Sequence, residues 1–244
     1  MMTKPLIFAR LDKETARRQW SDRFNNRTPQ PRAKAKIAIK ALEDGSTDIM
    51  LYDEIGYFGV TAKKFIAELG AISSSSIRVR INSPGGDVFD GLAIYNALKQ
   101  HQGDVTCVVE GIAASAASFI ALAGARCVMS ENSLMMAHCA WGLSIGNKLD
   151  MLETATILEK IDAQLSGIYA AKTGKTPTEC LAMMEGEGKN DGTWFTADEA
   201  KAFGLVDEIS NSSETTEQPD SGANASLESK VRAMKTRLAI AERE

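Results

Sequence analysis

The chain has 244 residues, 44% of them hydrophobic, enough to bury a substantial core as one large domain with extensions or as two small ones. A formal net charge of −4 gives no global argument for nucleic acid or a membrane surface as partner. The four cysteines (Cys107, Cys127, Cys139 and Cys180) lie far apart without a CxxC pair, so reduced, buried thiols are expected rather than disulfides or a metal site.

In chain order, residues 1–34 form a basic arm (Lys4, Arg10, Lys13, Arg17, Arg18, Arg23, Arg27, Arg32) ending in the turn-like, proline-bearing NNRTPQPR. Its only apolar run is too short for a signal segment, no stretch of the chain reaches transmembrane length, and the expected location is the cytoplasm. The arm reads either as a solvated leader or as a docking or removable segment. From Ala35 the pattern changes. AKIAIKAL alternates as a strand, EDGST is a turn and DIMLYDEI a second strand. VTAKKFIAEL has helical spacing, with Phe65, Ile66 and Leu69 on one side. SIRVRIN predicts a strand, then SPGGDV and a helix FDGLAIYNALKQH, then a strand DVTCVVEG and a small-residue helix AASFIALAGA. RCVMS and SLMMAH follow as strands, and a long helix runs from about Lys148 to Lys172. A short helix PTECLAMM, a strand TWF, a helix TADEAKAFG and a final LVDEI complete a unit over 35–210. Strands alternating with helices imply an α/β layer fold with crossover connections. Residues 211–226 read as a polar linker. In 227–244, Leu227, Val231, Met234, Leu238 and Ala241 recur at steps of four and three, as in a short amphipathic helix.

Four stretches bear on chemistry. TGKT (Thr173 to Thr176) resembles the end of a phosphate loop, but the first glycine such a loop needs is Tyr169, so a helix C-terminus with Gly174 in the left-handed position is expected. In INSPGGDV, Gly85 and Gly86 either form a plain strand-to-helix turn or expose backbone N–H groups able to hold an anion or a developing oxyanion. Ser115, just past a strand and at the start of a helix, has Ala113, Ala114, Ala116 and Ala117 around it, small enough to let a substrate backbone approach. Of the two histidines, His101 reads as an exposed helix end, whereas His138 closes an apolar strand at the sheet's rim, suited to general-base work.

Taken in order, INSPGGDVFDGLAIYNAL, GIAASAASFIALAGA, NSLMMAH and TWFTADEAKAFGLVDEI resemble the Clp proteolytic subunit family of serine peptidases. DIMLYDEIG and GVTAKKFIAEL look closer to its phage branch, the ClpP-related head maturation proteases. The resemblance runs from about Asp48 to Ile209 and leaves out the arm and the tail. It implies an α/β, ClpP/crotonase-like spiral of β-α units with a protruding handle helix, here the 148–172 helix, and a Ser–His–Asp triad. Carried over by motif, Ser115 is the nucleophile and His138 the base, with Gly86 and Ala116 as oxyanion donors and Gly85 beside them at the substrate-binding loop. The segment after SPGG would offer an open strand edge to an extended peptide. The third member departs from the pattern. The family's acid lies shortly before the aromatic strand, yet the position two before Trp194 is Gly192. The nearest acid is Asp191; Glu187 or Asn190 could replace it, or the site could be a dyad.

The resemblance further implies a ring-type homo-oligomer, with two rings stacked through the 148–172 helix, and no cofactor or metal. The expected function is a serine endopeptidase cutting capsid or scaffold proteins, in host cytoplasm or an assembling virus head. Alternatives are a housekeeping Clp subunit working with an ATP-dependent unfoldase, an inactive scaffold of the same fold, and, last, an acyl-CoA-directed crotonase.

Overall fold

The computed structural model describes residues 37–186 and 192–210. The basic arm, the 211–226 linker, the 227–244 helix and Glu187, Asn190 and Asp191 lie outside the described residues. The strands are β1 (Ala38–Ala41), β2 (Thr47–Leu51), β3 (Ser76–Ser83), β4 (Asp104–Ala114), β5 (Arg126–Ser130), β6 (Leu134–Ala137), β7 (Thr193–Thr196) and β8 (Glu208–Ser210). The helices are α1 (Ala62–Gly70), α2 (Val88–Lys99), α3 (Ala116–Ala121), α4 (Lys148–Thr173), α5 (Pro177–Glu185) and α6 (Ala197–Phe203).

The sheet runs β1-β2-β3-β4-β5-β8 and is parallel apart from β1, which folds back on β2. Parallel neighbours need crossovers, and α1, α2 and α3 supply those between β2 and β5. On β3 the alternation is plain. Ile77, Val79 and Ile81 are fully buried, while Arg78 and Arg80 on the other face pair with Asp48 of β2, Arg80 also reaching Glu110 of β4.

The longest strand, β4, organises the functional end of the molecule. Its first half pairs with β5 (Thr106↔Arg126 through Val109↔Met129) and its last three residues pair with β6 (Ile112↔Leu134 through Ala114↔Met136). Strand β7 then lies antiparallel on β6. The sheet therefore forks along β4, and the chain leaves the fork directly into α3.

Helix α3 is buried over its whole length, which its sequence AASFIA permits because small residues let neighbours come close. Gly91 of α2 shows how close: a Cβ there would stand 2.8 Å from the Phe119 ring and 3.1 Å from Ala116 Cβ. Helix α4 is capped by Asn147, whose side chain accepts from Asp150 N–H while Asp150 returns the bond, and it ends on Gly174 at φ 72°. TGKT is thus a helix terminus, as expected. Ile161, Leu165 and Tyr169 form the buried stripe of α4, whereas Leu149, Met151, Leu152 and Ile157 are exposed.

Two expectations need correction. Phe65 and Leu69 of α1 are buried, but Ile66 is 41% exposed because it lies off the core-facing stripe. His101 is half-buried rather than exposed, with its Nε2 shielded under the turn at Gly103. Cys107, Cys127 and Cys180 are buried, whereas Cys139 is only partly so, and burial pushes the Cys107 thiol up to about 12. No helix among the described residues is long and apolar enough to cross a membrane.

Candidate active site

Ser115 is the single residue between β4 and α3. Its φ of 54° and ψ of −124° make it the only non-glycine with positive φ among the described residues. Such a backbone costs of the order of 1–3 kcal/mol and persists only where its surroundings fix it. Here they do. Ser115 N–H donates to Met136 O at 2.8 Å, tying the turn to β6. On the other side, the Ser115 carbonyl accepts from Ser118 N–H at 3.0 Å and from Ser118 Oγ at 2.6 Å. Ser118 Oγ lies 2.6 Å from the hydroxyl of Tyr169, which α4 delivers into the core. With Ser118 donating to Ser115, Tyr169 is the donor to Ser118, and three hydroxyl and carbonyl groups form one buried chain.

His138 follows β6 directly, and strand register brings it to the serine. Because Ala114, the last residue of β4, pairs with Met136, the last but one of β6, the two strands end within one residue of each other and Ser115 and His138 leave the fork close together. His138 Nε2 stands 2.8 Å from Ser115 Oγ. Burial lowers the His138 pKa below its ordinary 6.5, opposed by the negative charge of Asp162. A neutral imidazole with its Nε2 at a hydroxyl is set to take a proton.

The SPGG loop runs past the same corner. Ser83 pairs with Ala113, after which Gly85 (φ 87°) passes so near Ser115 that a Cβ on it would lie 2.7 Å from both Ser115 Cβ and Ala116 N. Gly85 N–H is spent on Ser83 Oγ at 3.1 Å, so this glycine serves close passage rather than donation. Gly86 (φ 148°) is bridged to Ile55 through its neighbours: Ile55 N–H donates to Gly85 O and Asp87 N–H to Ile55 O, and Gly86 N–H takes no part. Ala116 opens α3, whose first turn receives no side-chain cap from Ser115. The structure thus brings Ser115, His138, Gly85, Gly86 and Ala116 to one corner.

Three residues with a bearing on this corner escaped the sequence reading: Ser118, Tyr169 and Asp162. Asp162 projects from α4, and its Oδ1 accepts from Ala140 N–H at 2.6 Å. Burial raises the Asp162 pKa and the Glu185 charge adds to it; the Ala140 bond and the nearby imidazole work in the other direction. Burial, then the Asp162 and Glu185 charges, push Cys139 up to about 12. The available signal was a carboxylate adjoining the apolar stripe Ile161–Leu165–Tyr169 of a helix otherwise read as a covering element. No group of three or more potential metal ligands occurs among the described residues.

The sequence model of the Clp protease family matches residues 33–213, about three quarters of the chain. This chain belongs to the Clp protease family. Its α/β architecture is the one expected of a Clp protease. Among curated relatives, the ATP-dependent Clp protease proteolytic subunit 3 of Rhodococcus jostii is 38% identical over 135 residues, covering 54% of this chain and 64% of that protein. The alignment thus spans a little under two thirds of that relative's length. The ATP-dependent Clp protease proteolytic subunit of Bacteroides fragilis is 32% identical over 171 residues, 66% of this chain and 80% of the relative. The subunit of the same name from Chlorella vulgaris is 33% identical over 138 residues, 56% and 66% of the two chains.

Proposed function

We propose that this Clp protease family member is a serine endopeptidase subunit that cleaves extended polypeptide segments. The observation that carries this reading is the 2.8 Å approach of His138 Nε2 to Ser115 Oγ at a strained strand-to-helix turn. In the reaction, His138 removes the hydroxyl proton as Ser115 Oγ bonds to the peptide carbonyl carbon. The oxyanion that forms is met by the N–H groups of Gly86 and Ala116. His138 then gives its proton to the departing amine, the C–N bond breaks and an acyl-serine remains. Water, deprotonated by the same imidazole, attacks the ester and returns the serine.

Exposed Trp141, Leu143 and Ile145 before α4, and Leu149, Leu152 and Ile157 along it, support burial of this helix between subunits of a stacked, ring-type homo-oligomer. For the substrate, two readings each have support. The relatives carry "ATP-dependent" in their names, which favours unfolded proteins handed over by an ATP-driven unfoldase. DIMLYDEIG and the long arms at both ends favour capsid or scaffold segments of an assembling virus head, reached without an unfoldase. In either case the work is done in the cytoplasm or in a particle assembled there.

The test is a fluorophosphonate probe on the assembled protein. We expect one label per subunit, absent in Ser115→Ala and strongly slowed in His138→Ala. Labelling that survives Ser115→Ala, or an assembly that neither labels nor cuts peptides, would refute the proposal. Cleavage of a folded scaffold protein without ATP would decide for the virus-head reading.

A further inference from the structure

The resemblance implies an acid shortly before the aromatic strand, and two residues before Trp194 this chain has Gly192. The structure gives a physical reason why no side chain stands there. Gly192 adopts φ 80°, and a Cβ on it would lie 2.5 Å from His138 Cβ and 3.0 Å from His138 Cα, in collision with the Ala137 carbonyl. The backbone of this residue packs directly on the histidine, so position 192 itself has no room for the acid.

We propose that Asp162, on helix α4, is the residue that positions His138 and stabilises its charged form, in place of an acid next to the TWF strand. This rests on the reading of Ser115 and His138 as nucleophile and base. Three observations converge on it. Asp162 Oδ1 accepts from Ala140 N–H at 2.6 Å, so the carboxylate is held against the backbone two residues beyond His138. The same segment is held on its other side, where Cys139 N–H donates to Met184 O of α5. Asp162 sits one place beyond Ile161, one turn before Leu165 and two turns before Tyr169, three buried residues, so its own backbone is anchored in the core. Its charge acts on the imidazole in the sense required, favouring the protonated form that arises when Ser115 gives up its proton. Glu185 and Cys139 are the other titratable groups that bear on the carboxylate. Burial chiefly, and the Glu185 charge to a smaller degree, raise the Asp162 pKa, whereas the bond from Ala140 N–H favours its ionised form.

Asp162→Asn isolates the charge, because an amide oxygen still accepts from Ala140 N–H. The second-order rate of fluorophosphonate labelling at Ser115 is measured on the full-length assembled protein between about pH 5 and 9. Compared are wild type, Asp162→Asn, Asp162→Glu and Asp191→Asn. We expect Asp162→Asn to lower the rate at least about a hundredfold and to move the acid limb of the profile to lower pH, because the imidazole has lost its anion. Asp162→Glu is expected to recover part of the rate, and the loss in Asp162→Asn should exceed that in Asp191→Asn at least about tenfold. A second readout does not depend on chemistry. The chain has two histidines, so in a Ser115→Ala background His138 can be titrated by NMR with His101 as internal reference. Asp162→Asn should lower the His138 pKa. An unmoved His138 titration, or a larger loss in Asp191→Asn than in Asp162→Asn, overturns the proposal. If the wild type takes no label while the titration still responds to Asp162→Asn, the peptidase reading falls and the placement of Asp162 at His138 stands.

Discussion

The chain of hydrogen bonds from Tyr169 through Ser118 to the Ser115 carbonyl can be tested as a unit. Ser118 is fully buried and Tyr169 is 1% exposed, so neither hydroxyl can turn to water when its partner is removed. Ser118→Ala leaves the Tyr169 hydroxyl without an acceptor, at about 1–3 kcal/mol, and removes a bond to the Ser115 carbonyl worth roughly 1 kcal/mol. Ser118 N–H still reaches that carbonyl at 3.0 Å, so the carbonyl itself is not orphaned. The expected loss is about 2–4 kcal/mol. Tyr169→Phe removes only the donor; Ser118 continues to serve Ser115, and the loss is about 1 kcal/mol. In the double variant no stranded hydroxyl remains, so its loss should fall short of the sum by about 1–2 kcal/mol. Urea unfolding of the three variants and the parent at one protein concentration measures this. With a slope of about 2 kcal/mol/M, a 3 kcal/mol loss moves the midpoint by roughly 1.5 M. The same variants should take up a fluorophosphonate more slowly in the order of their destabilisation, because the chain holds the unfavourable backbone of Ser115. Losses that add to within about 0.5 kcal/mol would refute the coupling.

Two further outcomes follow from the site. Burial disfavours the imidazolium of His138, which therefore remains a proton acceptor at pH values where a free histidine is largely charged. The labelling rate should rise with pH through a midpoint below 6.5, and a midpoint above that value would contradict the described environment. Gly192→Asp places an acid shortly before the aromatic strand, as the family pattern implies, yet we expect it to slow labelling and lower the unfolding midpoint. Its Cβ meets His138 Cβ at 2.5 Å on a backbone with φ 80°, and a faster enzyme would show that the loop yields easily.

Much of this architecture was legible in the residues. Period-two patterns in SIRVRIN and DVTCVVEG marked β3 and β4, and the small residues after Gly111 marked a helix that packs tightly. The approach of Ser115 to His138 followed from ordered motifs, but its cause, the pairing of Ala114 with Met136 that ends β4 and β6 within one residue of each other, is a matter of register that no linear pattern carries. Asp162 was missed because an acid on a long helix looks like surface charge until the fold shows which strand end it faces. Ser118 and Tyr169 are 51 residues apart, and nothing local to either announces the other. Ile66 misled because helical spacing identifies a side of the helix more readily than the width of the stripe that is covered.

The fork in β4 has a consequence for subunits that fold badly. Side chains alternate along a strand, so if β6 slid by a single place along the end of β4, the imidazole would turn to the far side of the sheet. The hydroxyl would then face no base and would be as inert as any surface serine. A chain mispaired in this way would lack the contact between Ser115 and His138 on which the proposed peptidase activity rests.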